Sequence, residues 1–454
     1  MLPWRQKGGK RVNDFSIPPY AASALDRLTA AGHEAWLVGG CVRDLLLGRE
    51  PGDYDIAAAA LPEETEAVFA GERIIDTGLK HGTVTVVLEG HPLEITTFRV
   101  DGTYADARHP DRVTFTRSLE EDAARRDFTV NAMAYHPDRG LWDGFGGQED
   151  LKNKFIRCVG DPKTRFREDG LRILRALRFA SVLDFSIQPE TERAARKTAP
   201  LLGQIAAERL SVELGKLLCG PGAGRVLRDY PDVLGGILPE LLPMAGFDQK
   251  NHHHCYDLLT HTAVAVDSAP PDLTLRLAML LHDIGKPETF SLGEEGHFYG
   301  HAKRSGELAE DILRRLRFPN RVRAAVVTLV RYHDAPLEPD PKNVRRWLSR
   351  LGEETFFDLL AVRRADTLAL ALPYRSRTKT LDEIEALARS ILAEKPPFSL
   401  RDLAVDGHDL MALGYQGPAL GRALRSLLDR VVEGSLPNER EALLAALEGE
   451  KRGE

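Results

Sequence analysis

The sequence predicts an α+β protein, with a mixed sheet and helices in the first part of the chain and helices alone in the rest. Short runs with β-branched alternation, such as "HGTVTVVLE" and "HPLEITTFRV", stand among short helical patterns before residue 150. After residue 160, apolar residues recur at three- and four-residue spacing almost to the end of the chain. We therefore expect a sheet-containing head followed by all-helical domains.

The elements of the head follow in order. The segment "YAASALDRLTAA" predicts a helix, and "EAWLV" predicts a short buried strand. A "GG" turn leads into the helix "CVRDLLLG", which Gly48 ends. "DYDIAAA" is expected to be extended, and the two β-branched strands that come next are separated near Gly90. Pro and Gly clusters such as "GPGAGR", "SAPPD" and "EKPPF" mark the joints between the helical parts.

Composition excludes several classes of protein. The chain has 454 residues, of which 43% are hydrophobic and 28% charged, and this is typical of a globular protein with several domains. No apolar run approaches the roughly 18 residues that span a bilayer, and no apolar stretch follows the basic N-terminus. The four cysteines show no CxxC spacing, which is typical of reduced thiols. We expect a cytoplasmic protein without a membrane partner.

Charge is unevenly distributed along the chain. The net charge of −7 argues against a general coat for nucleic acid. Residues 312–331 nevertheless carry six arginines and no acid, and residues 165–180 carry five arginines against two acids. Such segments form either solvated helix faces or local surfaces that hold a nucleic acid at one place.

Two carboxylates stand one residue apart, at Asp53 and Asp55. On a strand, residues i and i+2 point to the same face, so these side chains would aim at one point. They repel each other unless a cation lies between them, and Mg²⁺ is commonly held by one or two carboxylates together with substrate phosphates. Glu94, on a neighbouring predicted strand, is the candidate third carboxylate of a two-metal site.

A glycine pair precedes the two aspartates. Gly39 and Gly40 would let a triphosphate approach backbone amides at the start of a helix, and Arg43 would add a charge-assisted contact. A surface turn with acidic residues is the alternative interpretation of the two aspartates alone. The combination of the glycines, the Arg–Asp pair and the two carboxylates is far more specific.

This combination, "LVGGCVRDLLLG" followed by "PGDYDI", resembles the motif of the class II nucleotidyltransferases, which are the tRNA CCA-adding enzymes and the bacterial poly(A) polymerases. Further matches follow in order: "TGLKHGTVTV", "DGTYADARHPDRVTF", "RRDFTVNAMAY", "DGFGGQEDL" and "RFREDGLRILRALRFA". The stretch from "LAVDGHDLMALGYQ" onward resembles the tail of bacterial CCA-adding enzymes. The resemblance implies that Asp53 and Asp55 hold Mg²⁺ for nucleotidyl transfer, with CTP and ATP as substrates and tRNA as partner.

The segment "EDGLR" resembles the family's protein template for nucleotide choice. Asp169 and Arg172 are three residues apart, so on one helix they would share a face. A carboxylate only accepts hydrogen bonds and a guanidinium only donates them, which matches the amino group and ring acceptor of cytosine and adenine. Guanine and uracil would leave mismatched buried polar groups. We expect Glu168 to orient Arg172; an ordinary helix ion pair is the alternative.

The segment "RRDFT" resembles the family's motif for the nucleotide sugar and phosphates. The resemblance implies that Arg125 and Arg126 contact the triphosphate and Asp127 the ribose hydroxyl. It also places two arginines of the neck, Arg175 and Arg178, at the nucleotide site.

The segment "DGTYADARHP", which includes Arg108 and His109, resembles the flexible loop that complete CCA-adding enzymes need to switch from C to A. Its presence argues against an enzyme that adds only the two cytidines.

An ordered series of histidines and aspartates resembles an HD-type metal-dependent phosphohydrolase. Its members are His261, His282, Asp283, His301, His333 and Asp366. Such ligands suit Mg²⁺, Mn²⁺ or Ni²⁺, any of which can activate water. "RYHD" stands where many HD enzymes have a histidine pair, which leaves a second metal position open. His254 is expected to line the pocket. The alternative is an inherited helical scaffold without turnover.

We therefore divide the chain into five parts: an N-terminal tail (1–18), a nucleotidyltransferase head (19–150), a helical neck and body (151–250), an HD domain (251–370) and a helical tail (371–454).

The expected activity is CCA addition to tRNA, with the tRNA lying along arginine-bearing helices, because RNA duplexes are recognised by shape and backbone. The HD domain would hydrolyse phosphate esters at damaged RNA ends. The alternatives are a poly(A) polymerase, an A-adding enzyme with a CC-adding partner, and a signalling-nucleotide regulator with an HD hydrolase. The sequence leaves the oligomeric state open.

Overall fold

The structure, a computed structural model, describes residues 15–78, 82–102, 113–394 and 397–452. The loop residues Arg108 and His109 lie outside the described residues. The chain divides into two compact units, of which the first is Met1–Gly222 with Tyr230–Pro239 and the second is Ala223–Asp229 with Glu240–Glu454.

The first unit is built on a mixed sheet. Its strands are β1 (Ala35–Val38), β2 (Asp55–Ala58), β3 (Arg73–Gly78), β4 (Thr83–Leu88), β5 (His91–Thr97), β6 (Arg99–Asp101), β7 (Val113–Phe115), β8 (Ala134–His136) and β9 (Gly140–Trp142). Seven of them form one sheet in the order β3-β4-β5-β2-β1-β8-β9, while β6 and β7 pair separately. The neighbours β2 and β5 are parallel and the other pairs in this sheet are antiparallel. The α+β prediction is confirmed.

Helices cover this sheet and then continue alone. They are α1 (Pro19–Ala30), α2 (Gly40–Leu46), α3 (Pro62–Val68), α4 (Leu119–Ala124), α5 (Gly147–Asn153), α6 (Pro162–Glu168), α7 (Leu171–Leu183), α8 (Pro189–Thr198) and α9 (Ala207–Leu218). Side-chain caps fix several starts, as where Ser118 accepts from the Glu121 N–H and Asp161 from the Thr164 N–H. The helical part of this unit also contains one two-residue parallel ladder, β10 (Phe155–Ile156) with β11 (Ser186–Ile187).

The prediction that Asp169 and Arg172 lie on one helix is wrong. Helix α6 ends at Glu168, Asp169 is extended with φ −143° and ψ 106°, and α7 begins at Leu171. At Gly170, between the helices, an added Cβ would lie 3.2 Å from side-chain atoms of both Leu201 and Ile205. This close packing favours a glycine where the chain turns from α6 into α7.

The second unit is helical apart from one short hairpin. Its helices are α10 (Ala223–Asp229), then, after α11 (Pro231–Leu234) of the first unit, α12 (Leu258–Ser268), α13 (Leu273–Leu281), α14 (Lys286–Thr289), α15 (His301–Arg315), α16 (Asn320–Tyr332), α17 (Pro341–Leu351), α18 (Glu353–Ala369), α19 (Thr378–Ala393), α20 (Gly407–Ala412), α21 (Gly417–Val432) and α22 (Arg440–Arg452). The hairpin joins β12 (Ser291–Leu292) and β13 (Gly296–His297). Helix α10 packs on α12 so closely that a Cβ on Gly224 would lie 2.3 Å from Asp267 Oδ2.

Two apolar cores occupy the C-terminal half of the second unit. One contains Val344, Phe356 and Ile384 and so draws on α17, α18 and α19. The other contains Leu410, Leu427 and Leu447, from α20, α21 and α22. The first core takes residues from both sides of the predicted boundary at 370/371, and the five domain boundaries remain predictions. Across the described part of the chain, no helix combines the length and apolar character that crossing a bilayer requires.

Candidate active sites

Three carboxylates meet at one edge of the sheet in the first unit. Asp55 opens β2, and its register partner on the parallel strand β5 is Glu94. Asp53 lies two residues before β2 begins. Tyr54 and Ile56, which alternate with the two aspartates, are buried in the core. This is the alternation that the sequence predicts for two carboxylates sharing a face.

Among the described residues, negative charge outweighs positive charge at this edge. Burial raises the pKa of Asp55, the carboxylates of Asp53 and Glu94 add to the rise, and the guanidinium of Arg126 opposes it; together they bring the pKa to about 6. The oxygen-rich donor set and the uncompensated negative charge fit a hard divalent cation such as Mg²⁺.

The glycine pair leaves room for two guanidinium groups. Gly39 has φ +78°, and a Cβ there would lie 3.3 Å from Nη1 of Arg126. A Cβ on Gly40 would lie 3.6 Å from Nη2 of Arg43. Arg43 is oriented by hydrogen bonds to Asn131 Oδ1 at 2.8 Å and to the adjacent Asp44. Cationic groups therefore flank the turn where the sequence predicts a triphosphate.

Asp122 positions the two arginines of "RRDFT", and sequence reasoning missed it. Its buried carboxylate forms ion pairs with Arg125 at 2.7 Å and Arg126 at 3.1 Å. Burial alone would raise the pKa of Asp122, but Arg126 and Arg125 outweigh burial and lower it. The spacing of three and four residues from an acid to two arginines is the signal that could have revealed this contact.

Asp127 is engaged within the protein. One of its oxygens accepts the Phe128 N–H at 2.9 Å, and the other pairs with Arg175 at 2.6 Å. Burial opposes this charge, but Arg175 lowers the pKa of Asp127 below its usual value. The ribose contact predicted for Asp127 stays a prediction.

Three arginines, one after the glycine turn and two in the neck, lie close to one aromatic ring. The guanidinium carbons of Arg43, Arg175 and Arg178 lie 5.5, 5.4 and 3.8 Å from the ring centroid of Phe179. Glu213 pairs with Arg178 at 2.7 Å and with Arg175 at 3.4 Å. Sequence reasoning missed Phe179 and Glu213. The predicted nucleotide-binding arginines of the glycine turn and of the neck are thus brought together.

The two predicted template residues make separate contacts. Asp169 pairs with Arg209 on α9 at 2.7 Å, a contact that the sequence does not reveal. Arg172 pairs with Glu168, which also binds Arg165 at 2.9 Å. The prediction that Glu168 orients Arg172 matches this geometry.

A second cluster lies in the second unit. The six predicted HD residues come from five places: His261 on α12, His282 and Asp283 after α13, His301 at the start of α15, His333 after α16 and Asp366 on α18. Two groups each satisfy the spacing of metal ligands: His261, His282 and Asp283, and Asp283, His301 and His333. Asp366 Oδ1 lies 3.0 Å from His261 Nε2.

Backbone carbonyls orient the four histidines. The Nδ1 atoms of His282, His301 and His333 lie 2.7 to 2.9 Å from carbonyl oxygens three residues earlier, and His261 Nδ1 lies 3.4 Å from the Ala369 oxygen. Donation from Nδ1 directs the Nε2 lone pairs toward the centre of the cluster, as in metal sites.

Asp283 joins the two groups. Its Oδ2 faces His282 at 3.1 Å and His261 at 3.5 Å, and its Oδ1 faces Nε2 of His301 at 3.5 Å and of His333 at 3.6 Å. Within the described chain, the buried Oδ1 accepts no hydrogen bond. An orphaned carboxylate oxygen beside two imidazole nitrogens fits a second cation position, which the sequence left open.

The charged groups of this cluster strongly shift one another's pKa values. Burial alone would lower the pKa of His282, but Asp283 and Asp366 outweigh burial and raise it to about 10. Burial would raise the pKa of Asp283, but His282 and Lys286 hold it well below its usual value. Lys286, which sequence reasoning missed, is buried, and its Nζ lies 2.7 Å from Asp283 Oδ2 and 2.9 Å from Gln249 Oε1.

The cluster opens into a cavity of about 490 Å³. His254 lines it, as predicted, together with Asp283, His301, His333 and Asp366. Burial lowers the pKa of His254 to about 3, with Lys286 as the next cause.

Comparison with known proteins gives three family matches. The family described as "Poly A polymerase head domain" matches residues 35–157. "Probable RNA and SrmB- binding site of polymerase A" matches residues 184–244. "tRNA nucleotidyltransferase domain 2 putative" matches residues 298–447.

Full-length relatives extend the similarity. The chain is 37% identical over 439 residues to a CCA-adding enzyme of Geobacillus stearothermophilus, which covers 95% of this chain and 97% of the relative. It is 39% identical over 429 residues to a CCA-adding enzyme of Levilactobacillus brevis, which covers 94% of this chain and 96% of the relative. A crystal structure of the Bacillus stearothermophilus CCA-adding enzyme with CTP matches at a TM-score of 0.73 and 33% identity, over 96% of this chain and 99% of that one.

Proposed function

The chain belongs to the family of CCA-adding enzymes, and we propose that it adds C, C and A to the 3′ end of tRNA from CTP and ATP. The observation that carries this proposal is the carboxylate edge of the first unit, where Asp55 and Glu94 are register partners beside a glycine turn flanked by Arg43 and Arg126. The relative solved with CTP supports a nucleotide site in this fold.

The donor set at this edge suits Mg²⁺, held by Asp53 and Asp55 with Glu94 beside them. Mg²⁺ bound there would activate the attacking hydroxyl and stabilise the leaving pyrophosphate. The guanidinium groups of Arg43 and Arg126 would hold the triphosphate, with Asp122 fixing Arg126.

We propose Asp169 and Arg172 as the nucleotide-selecting pair. Both are already held by neighbours, Asp169 by Arg209 and Arg172 by Glu168, which limits the orientations that they can offer a base. A fixed acceptor beside a fixed donor matches cytosine and adenine and leaves guanine or uracil with unpaired polar groups.

The test is an extension assay. The protein is incubated with Mg²⁺, CTP, ATP and a tRNA ending at the discriminator base, and the 3′ ends are sequenced. Termination at CCA is expected, and Asp53→Ala should abolish it. A long A tail would identify a poly(A) polymerase, and A added only to a CC-ended tRNA would identify an enzyme with a CC-adding partner. Either outcome, or no extension, would overturn the proposal.

We propose a second activity, hydrolysis of phosphate esters at RNA ends, for the HD cluster. The supporting observation is that six ligand-type side chains converge with their histidines oriented by backbone carbonyls. Mg²⁺, Mn²⁺ or Ni²⁺ held there would supply an activated water. His261, His282, Asp283 and Asp366 would hold one ion, with Lys286 balancing the charge of Asp283.

Hydrolysis of adenosine 2′,3′-cyclic phosphate with each of the three metals tests this activity. His282→Ala should abolish hydrolysis and leave CCA addition unchanged, because the two sites lie in different units. Undiminished hydrolysis by His282→Ala would contradict the assignment, and no hydrolysis by the unaltered protein would overturn it.

A further inference from the structure

The HD cavity contains two arginines that form no ion pair with the residues the structure describes. Arg331 and Arg377 both line the cavity. Among the described residues, neither forms an ion pair. Among the described residues, the carboxylates of the cavity wall are those of Asp283, Asp334 and Asp366. Cationic groups facing a cavity without acidic partners are suited to an anionic ligand.

Arg331 differs from the other arginines of the basic segment 312–331. Arg314 pairs with Asp311, Arg315 with Glu240, Arg323 with Glu310 and Arg321 with Glu354, so these side chains belong to local surface pairs.

The stem of Arg331 is held in place by a glycine on the neighbouring helix. A Cβ on Gly306 of α15 would lie 2.4 Å from Cγ of Arg331, so the stem crosses α15 where no side chain stands. Packing against Gly306 therefore holds the stem of Arg331 in the cavity wall, and no salt bridge to a described residue contributes.

Aromatic rings stand at the same cavity. Tyr299 is 77% exposed, and its ring stacks on His297 with centroids 5.4 Å apart and planes at 16°. Both residues line the cavity. An exposed, stacked aromatic pair beside a phosphate-binding group is the arrangement that binds a nucleobase.

A second aromatic pair accompanies Arg377. The rings of His253 and Tyr374 are 4.3 Å apart at 31°, and the Arg377 guanidinium carbon lies 5.0 Å from the Tyr374 centroid. His253 and Arg377 line the cavity, so a second aromatic ring and a second cation stand in its wall.

We propose that this cavity recognises a nucleotide at the end of an RNA strand, with Arg331 and Arg377 binding phosphate and Tyr299 stacking on the base. The proposal rests on the hydrolase activity proposed above and assigns the residues that recognise the base and the phosphate of its substrate. A site for small phosphate esters would need the cations but not the exposed rings.

The experiment compares two esters with the full chain in Mn²⁺. One is adenosine 2′,3′-cyclic phosphate, and the other is the same cyclic phosphate on 1-O-methylribose, which has no base. Tyr299→Ala should raise KM for the adenosine ester about tenfold, leave its kcat unchanged and leave the base-free ester unaffected. Arg331→Gln should raise KM for both esters about tenfold. Tyr256→Ala and Arg401→Gln alter exposed residues outside the cavity lining and serve as matched controls.

Equal effects of Tyr299→Ala on the two esters, or no effect on either, would overturn the base-stacking proposal. If the unaltered protein hydrolyses neither ester, the hydrolase proposal fails. The recognition proposal is then tested by the binding of an RNA end. The affinity for a 3′-phosphorylated trinucleotide is then measured by calorimetry. About tenfold weaker binding by Tyr299→Ala supports the recognition site, and equal affinities reject it.

Discussion

Asp55 and Glu94 are register partners on the parallel strands β2 and β5, with Asp53 two residues upstream of Asp55. Parallel pairing at this one position brings together carboxylates that are far apart in the sequence. It explains why negative charge accumulates at this edge of the sheet, where Arg126 only partly offsets it among the described residues.

Glu94→Gln should slow nucleotide addition by about 10- to 100-fold, because an amide offers the cation a neutral oxygen in place of a charged one. Steady-state extension of tRNA at several Mg²⁺ concentrations measures this effect. Glu120→Gln, which changes an exposed acid on α4, should leave the rate unchanged. Equal rates for Glu94→Gln and the unaltered protein would remove Glu94 from the site.

Asp55→Asn should stabilise the metal-free protein at neutral pH. The folded-state pKa of Asp55 is raised to about 6, so its contribution to stability is fully present below its unfolded value and is lost as the pH rises through about 6. The asparagine side chain does not ionise, so the variant keeps this stability above pH 6. We expect the unfolding temperature of the first unit to rise by about 2–4 °C at pH 7.5 without metal, and not at pH 4. An equal rise at both pH values would show that the carboxylate charge is not the cause.

Gly39→Ala should impair both stability and activity, while Gly32→Ala should impair stability alone. Both glycines have positive φ, +78° at Gly39 and +87° at Gly32, so alanine costs about 1–2 kcal/mol at either place. Only at Gly39 would the new Cβ meet a functional group, Nη1 of Arg126 at 3.3 Å, whereas nothing lies within 4 Å at Gly32. Denaturant unfolding and nucleotide extension separate the two effects. Equal activity loss in both variants would assign it to backbone strain.

Glu168→Gln should reduce nucleotide selectivity. Without its carboxylate, the Arg172 guanidinium loses the ion pair that orients it, and misincorporation of UTP relative to CTP should rise about tenfold. Sequencing of products made with competing nucleotides measures the ratio. Glu192→Gln disrupts a comparable ion pair with Arg196 on α8 and should leave selectivity unchanged. Unchanged selectivity in Glu168→Gln would reject the orienting role.

Lys286→Met should destabilise the metal-free second unit by about 3 kcal/mol, because it removes one cationic partner of the buried Asp283 carboxylate and leaves His282 as the main one. A divalent metal should recover part of this loss, since the ion would supply the missing charge. Thermal unfolding with and without Mn²⁺ tests both effects. Lys303→Met, at an exposed position on α15, should show neither.

The parts of the site that follow local spacing could be predicted from the sequence. The alternation of Asp53 and Asp55 with buried residues follows from strand geometry, and Glu94 follows from the next β-branched run. The residues of the HD cluster could be predicted because their order along the chain resembles that of HD phosphohydrolases. The pairing of Glu168 with Arg172 was expected from the resemblance carried by "EDGLR", and the structure forms it across the break between α6 and α7.

Contacts between distant segments could not be predicted in this way. Arg209 meets Asp169 across 40 residues, and Arg175 meets Asp127 across 48. Neither pairing leaves a periodic signal, because the packing of α9 and α7 determines it. A spacing of three residues places Asp169 and Arg172 on one face only if a single helix contains both. The break at Asp169 and Gly170 separates α6 from α7, so the prediction was wrong.

The alternation of segments between the two units has a consequence for synthesis on the ribosome. Helix α10 belongs to the second unit, yet Gly224 is translated 43 residues before Asp267, the partner to which its N–H donates. At a translation rate of about 5–20 residues per second, α10 is synthesised about 2–9 s before the part of α12 on which it packs. Residues 230–239 meanwhile return to the first unit. A stop codon at any single position therefore cannot release one unit whole and free of the other's residues. Expression of the first unit alone requires a linker in place of residues 223–229, and expression of the second requires one in place of residues 230–239.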